Sequence, residues 1–340
     1  VVLTFSTGRS RACLSAAADW TTIFGMLNEL ACNLFDHWSQ SAALTRCIHS
    51  RIGGAAVIDA GAACPGSLEA GVLLARLCMG DRATVTLAPL YDDRLASSNS
   101  VHVRTDDPLQ SCLGAQYAGW PVQSDDFFAM GSGPMRMLRG REPMLEELGL
   151  VESGSRVAGV LEAETLPSLA AIELIANQCG VDFPGVHLAL APSTSIAGSI
   201  QVVARSIETA LHKLHELKFD VRDVRSATGV APLPPPAKRG DTVGGIGRTN
   251  DAILYGATVT LWVDCEDDQI NAVAPRVPSS SSGDHGQPFA KIFKQYDYDF
   301  YQVDPLLFSP AVVTFHNLRS GRSWTAGEID GTVLKQSFDS

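Results

Sequence analysis

Arg205 and Glu208 lie three residues apart in the segment 191–217, APSTSIAGSIQVVARSIETALHKLHEL. On a helix that spacing sets both side chains on one face, close enough to pair. A carboxylate held beside a guanidinium can position and deprotonate water. The segment opens with Pro192 and a cluster of Ser, Thr and Gly, then runs without a breaker for the length of a helix. On a helical wheel Ile200, Val203, Ala204, Ile207, Ala210, Leu211, Leu214 and Leu217 share one arc, and Gln201, Arg205, Glu208 and His212 form a stripe opposite. An ordinary solvated face has the same look, with an ion pair worth roughly a few tenths of a kcal/mol. Spacing alone leaves both readings open.

Other chemistry is narrowed by what the chain does not carry. There is no Gly-x-x-x-x-Gly-Lys-Ser/Thr phosphate loop and no Gly-x-Ser-x-Gly elbow. Gly131-Ser132-Gly133 and Gly244-Gly245-Ile246-Gly247 both fall short of a dinucleotide fingerprint. His212 and His215 are i, i+3 without a His-Glu-x-x-His motif, so no metal site is expected. Cys64 and Cys112 have no sequence-local partner that would activate a thiol. The remaining repertoire is carboxylate, guanidinium and hydroxyl groups, working without a cofactor.

The elements that must position those groups alternate strand, turn and helix, which predicts a mixed α/β (α+β) fold. A helix is expected over 27–41, a buried strand in AAVIDAG, and a helix from Leu68 to Gly80 capped by Ser67. ATVTLAPL and VHVRT read as neighbouring strands, RVAGVLEAE and VHLALAP as buried ones flanking the helix LPSLAAIELIANQCG, and TVTLWVD as a later strand. The proline-rich stretch 229–240 reads as a loop or strap, and PSSSSGDHGQP as a mobile surface loop. Phe293, Tyr296, Tyr298, Phe300, Tyr301 and Phe308 read as core or interface, because no basic residues interleave with them as a nucleic-acid platform requires.

At 340 residues the chain is long for one core, so two α/β domains are expected, an N-terminal one over 26–150 and a C-terminal one over 151–340. A net charge of −11 argues against nucleic acid or an anionic membrane as partner, and no apolar run is long enough to span a bilayer. The eight cysteines are dispersed with no Cys-x-x-Cys, a pattern of reduced thiols in a cytosolic protein. Residues 1–25 have no apolar core of a signal peptide and are expected to be a disordered tail or a start-site artefact.

Several segments together resemble methenyltetrahydromethanopterin cyclohydrolases: VIDAGAACPGSLEAG, FFAMGSGPMR, APSTSIAGSIQVVARSIETALHKL, APLPPPAK, GRTNDAILYG, PSSSSGDHGQPF and YDYDFYQVDPLLFSPA. The similarity runs from about Leu27 to the C-terminus, with a looser match over 27–61, where AGAAC follows the aspartate; residues 1–25 fall outside it. APLPPPAK is closest to the bacterial, formaldehyde-oxidising branch. The resemblance implies a cytoplasmic homotrimer of two-domain subunits with a pocket between the domains and no metal or redox cofactor. It implies reversible hydrolysis of the methenyl bridge of a tetrahydromethanopterin to the formyl derivative. The family's Arg-x-x-Glu pair falls on Arg205 and Glu208, with Glu208 as general base and Arg205 orienting it. Ser132, Gly133, Thr194 and Ser195 are then candidates to hold pterin or tail oxygens, as are Asn250 and Asp251 for a pterin edge; capping and tight turns explain the hydroxyl and glycine positions equally well. A pterin-binding protein without turnover, and a phosphate-handling enzyme using the GSGP and GGIGRTND turns, are the competing classes.

Overall fold

The structure, a computed structural model, describes residues 26–339 apart from 118, 125 and 301. The expectation for residues 1–25 lies outside that range. In chain order the elements begin with α1 (Leu27–Gln40), β1 (Ile48–Ile52), β2 (Ala55–Asp59), α2 (Leu68–Cys78), β3 (Thr84–Pro89) and β4 (Asn99–Thr105). A π-helix (Leu109–Gln116) leads to β5 (Trp120–Ser124), β6 (Phe127–Ser132), α3 (Met135–Arg139), α4 (Pro143–Glu147) and β7 (Val157–Glu162). Then come α5 (Leu169–Cys179), β8 (Val186–Leu190), α6 (Ile196–Val203), α7 (Ser206–Glu216), β9 (Val224–Pro232), α8 (Thr242–Leu254) and β10 (Thr258–Val263). The chain finishes with α9 (Asp267–Val273), α10 (Phe289–Gln295), β11 (Val312–Asn317), β12 (Ser323–Gly327) and α11 (Gly331–Phe338).

These strands build two six-stranded mixed sheets, ordered β1-β2-β8-β7-β6-β5 and β12-β11-β10-β9-β4-β3. The fold is mixed α/β, as the sequence pattern predicts. Each sheet takes strands from both sides of residue 150. In the first sheet β2, β8 and β7 run parallel, and their apolar runs are buried on both faces. Side chains alternate between those faces. Val57, Leu188 and Leu161 pack with the α5 residues Ile172 and Ile175, while Ile58, Val160 and Ala189 pack with Phe35 of α1 and Leu74 of α2. The hairpin joining β1 to β2 turns at Gly53 and Gly54, both at positive φ (60° and 102°), the conformation a two-residue turn between twisted strands needs.

The second sheet is covered on one face. In β10, Val259, Leu261 and Val263 are fully buried while the alternate residues are half-exposed. Against that buried face lie Ile207, Ala210, Leu211 and Leu214 of α7, all at 0 % exposure. Ile207, Leu211 and Leu214 each contribute about 1.5–3 kcal/mol on burial, enough to fix the helix against the sheet. Ala197, on α6 just upstream, packs instead in the core of the first sheet. The α6–α7 segment thus bridges the two hydrophobic cores.

Three local expectations are corrected. The segment 191–217 is not one helix: it breaks at Ala204 and Arg205 into α6 and α7. The stretch 229–240 is not all strap, because β9 continues through Pro232 at the end of its ladder with β4. The PSSSSGDHGQP stretch is tied down: Ser279 is fully buried and donates to the Leu254 carbonyl, Ser281 accepts from Lys213 Nζ at 3.0 Å, and Ser282 donates to Asp304 at 2.6 Å. The aromatic tail is core only in part: Phe293 is buried and Phe300 and Phe308 are half-buried, in ring contacts of 4.6–5.8 Å that include the buried Phe289, whereas Tyr298 is exposed and Tyr301 lies outside the described residues.

Candidate active site

At the break between α6 and α7 a backbone carbonyl takes a side-chain partner. In a continuous helix the Ala204 carbonyl would accept from the Glu208 N–H; here it accepts from the side-chain Nε2 of Gln116 at 3.2 Å. The turn tightens as the Arg205 N–H bonds back to Val202 at 3.1 Å. A side chain inserted into the ladder is a standard source of a helix kink. Arg205 is left as the residue before α7, at φ −87° and ψ 5°, and Glu208 as the third residue of α7.

Across this cap the two side chains meet. Arg205 Nε donates to Glu208 Oε2 at 3.1 Å and Nη2 donates to the same oxygen at 2.8 Å. Glu208 is only 2 % exposed. The carboxylate also faces the positive end of the α7 dipole, a contribution of about 0.3–1 kcal/mol. Its other oxygen, Oε1, takes no hydrogen bond from any described residue. Gln201 is buried and His212 half-buried, so the polar stripe is turned into the protein and is not a solvated face.

Around the pair the chain gathers further polar groups. The Cys78 thiol lies 3.3 Å from Ser132 Oγ and accepts from Gln201 Nε2 at 3.5 Å. Burial pushes the Cys78 thiol up, although Ser132 and Arg205 pull the other way, so it stays protonated at neutral pH. Burial likewise raises Cys112 to about 12 and Cys64 to about 11, which leaves neither as a nucleophilic thiolate. Burial also raises Glu162, at the end of β7, against the opposing pull of Arg205 and Ser193. For Arg205 burial acts to lower its pKa, but Glu208, with Cys78 and Glu162, outweighs it and holds the guanidinium above its ordinary value.

A second stack borders the site. Arg136 is fully buried, donates to the Gly114 carbonyl at 2.8 Å and to Glu142 at 3.2 Å, and lies 4.8 Å over the Tyr117 ring. Tyr117 stacks on His212 at 4.8 Å with the rings 15° from parallel. Burial lowers the His212 pKa despite Glu208 and Glu216, so this imidazole is neutral at pH 7.

The predicted binding residues fall into different settings. Ser132 Oγ lies beside the Cys78 thiol, and Gly133, at φ 95°, donates its N–H to the Ala115 carbonyl at 2.8 Å. Thr194 is buried beside Gly245. Ser195 caps α6, accepting from the Gly198 N–H at 3.0 Å. Asn250 bonds its own helix at Ile246, and Asp251 accepts from Phe289 N–H at 2.8 Å at the start of α10. Sequence reasoning missed Gln116, Cys78, Glu162, Arg136 and Tyr117. The run QYAGW carried no local signal that its glutamine would reach a helix 88 positions downstream. Among the described residues no group of three or more His, Cys, Asp or Glu is placed to hold a metal ion.

The mixed α/β scaffold holds a buried carboxylate beside a guanidinium, with one carboxylate oxygen free of hydrogen bonds from the described residues. Residues 26–338 match the cyclohydrolase (MCH) family, and the chain belongs to that family of enzymes. It is 60% identical over 315 residues to the methenyltetrahydromethanopterin cyclohydrolase of Rhodopirellula baltica, covering 92% of this chain and 94% of that one. Proteins of the same name in Methylobacillus flagellatus and Methanospirillum hungatei are 42% and 38% identical, over 93% and 92% of this chain and 96% and 98% of theirs.

Proposed function

We propose that the protein hydrolyses, reversibly, the methenyl bridge of methenyl-tetrahydromethanopterin, or its dephospho form, to the 5-formyl derivative. The observation that carries the reading is the division of labour within the Glu208 carboxylate: Arg205 occupies Oε2 twice, and Oε1 is open. The bridge carbon lies between two nitrogens that share a positive charge, so it is electrophilic without a Lewis acid. Water adds to that carbon while Glu208 takes one of its protons. The resulting carbinolamine collapses with cleavage of one C–N bond. Glu208 returns its proton to the departing ring nitrogen, and the hydroxyl proton leaves to solvent as the formyl carbonyl forms. Arg205 fixes the carboxylate and stabilises its charge in both directions.

Ser132, Gly133, Thr194 and Ser195 supply hydroxyls and backbone groups for pterin or tail oxygens in a pocket between the two domains. The same reading makes the protein a cytoplasmic homotrimer working in one-carbon metabolism and formaldehyde oxidation, with no metal or redox cofactor. Its support is the family membership and the segment resemblance, APLPPPAK above all. The test is direct: purified protein is mixed with the methenyl substrate and the loss of its near-ultraviolet chromophore is followed. Catalysed loss with appearance of the 5-formyl product is expected. Tight binding with no turnover would leave a pterin-binding protein instead.

A further inference from the structure

Gln116 is fully buried at the end of the π-helix, a geometry often found at functional sites. Its Nε2 holds the Ala204 carbonyl at 3.2 Å, while its Oε1 is enclosed and takes no hydrogen bond from the described residues. A buried amide with one satisfied end is unfavourable by about 1–3 kcal/mol. The bond it does make falls on a carbonyl at the α6–α7 break, one whose helical partner would be the Glu208 N–H. Were that carbonyl returned to the Glu208 N–H, Arg205 would move from a cap onto the helix body, where the i, i+3 spacing still lets it meet Glu208 but from a different direction.

We propose that Gln116 is a positioning residue for the hydrolysis: by holding the Ala204 carbonyl it keeps the α6–α7 break open and sets the direction from which Arg205 meets Glu208, with both bonds on Oε2. It acts through the backbone and not on substrate. Two further contacts make its own placement firm. Gly114, two residues before it, is held by Arg136 Nη1 at 2.8 Å, and its neighbour Tyr117 is stacked between Arg136 and His212. The anchor of the break is therefore fixed to the same α7 face that carries Glu208. This inference rests on the cyclohydrolase reading for its kinetic readout but not for its structural one.

The test substitutes Gln116→Met, which keeps the length and removes the donor, alone and in an Arg205→Met background. Misaiming a group by about 1 Å lowers turnover by about 100-fold, so kcat should fall by that order while KM stays within about threefold. In the Arg205→Met background the same change should lower kcat by less than about threefold, because two changes acting through one contact do not add. Equal losses in both backgrounds, or an unchanged kcat in the single variant, overturn the proposal. A crystal structure of Gln116→Met gives an independent answer: a healed α6–α7 helix supports the proposal, and a retained break with Arg205 still on Glu208 refutes it. If Met prevents folding, Gln116→Leu removes the donor with a different side-chain shape. Should the wild type hydrolyse nothing, the cyclohydrolase reading fails by itself, and the structure of the variant still decides this one.

Discussion

Arg205→Met is the substitution whose consequence the structure sets most closely. The Glu208 carboxylate is 2 % exposed and its only side-chain donors among the described residues are Nε and Nη2 of Arg205. With the guanidinium gone, a buried charge loses both bonds at once. Breaking such a pair from one side lowers stability by about 3–5 kcal/mol, whereas replacing both members with apolar groups is close to neutral. Arg205 keeps 14 % of its side chain exposed, so water enters in part and the lower end, about 3 kcal/mol, is expected. Urea unfolding at pH 8 should show that loss for Arg205→Met and recovery to within about 1 kcal/mol of wild type for Arg205→Met with Glu208→Leu. An exposed pair would give about 0–1 kcal/mol and no recovery. That result would refute the claim that the pair is a buried unit.

Other perturbations separate structural from chemical roles. Burial raises Asp251 to about 7, above its unfolded value. Its contribution to stability is therefore complete at low pH and is lost as pH rises from about 4 to about 7, to the extent of about 4 kcal/mol. Asp251→Asn, which keeps an acceptor for the Phe289 N–H, should gain on the wild type across that window in thermal melts; a constant difference contradicts the assignment. At Gly198 an added Cβ would lie 2.0 Å from the Pro192 carbonyl oxygen. Gly198→Ala should thus distort the turn ahead of α6 and lower stability by about 1–3 kcal/mol, and a variant unfolding with the wild type would show that the approach is looser than described.

How much of this was readable in the chain follows from the range of each interaction. Apolar runs and period-3.6 patterns are local, and they marked β2, β7, β8, α2 with its Ser67 cap, and the apolar arc of α7. The Arg205–Glu208 pair was legible for the same reason. The break between those helices was not, because propensity over 191–217 favours one helix and the side chain bonded to the Ala204 carbonyl comes from Gln116, far away in the chain. The burial of the polar stripe was equally hidden, since Cys78, Ser132 and Glu162 arrive from α2, β6 and β7. The serine-rich stretch near 280 looked free by composition, yet the buried Lys213 of α7 and Asp304 hold its hydroxyls. Interleaving of the two sheets across residue 150 depends on pairings such as β2 with β8 that no single segment announces.

The account turns on one proton transfer. The decisive measurement is kcat for methenyl-tetrahydromethanopterin hydrolysis by wild type and Glu208→Gln, with substrate binding measured alongside. The amide keeps the shape and an acceptor for Arg205 but cannot take a proton from water. A loss of about 100- to 10,000-fold in kcat with binding retained is the predicted result. Unchanged turnover in Glu208→Gln would contradict the account.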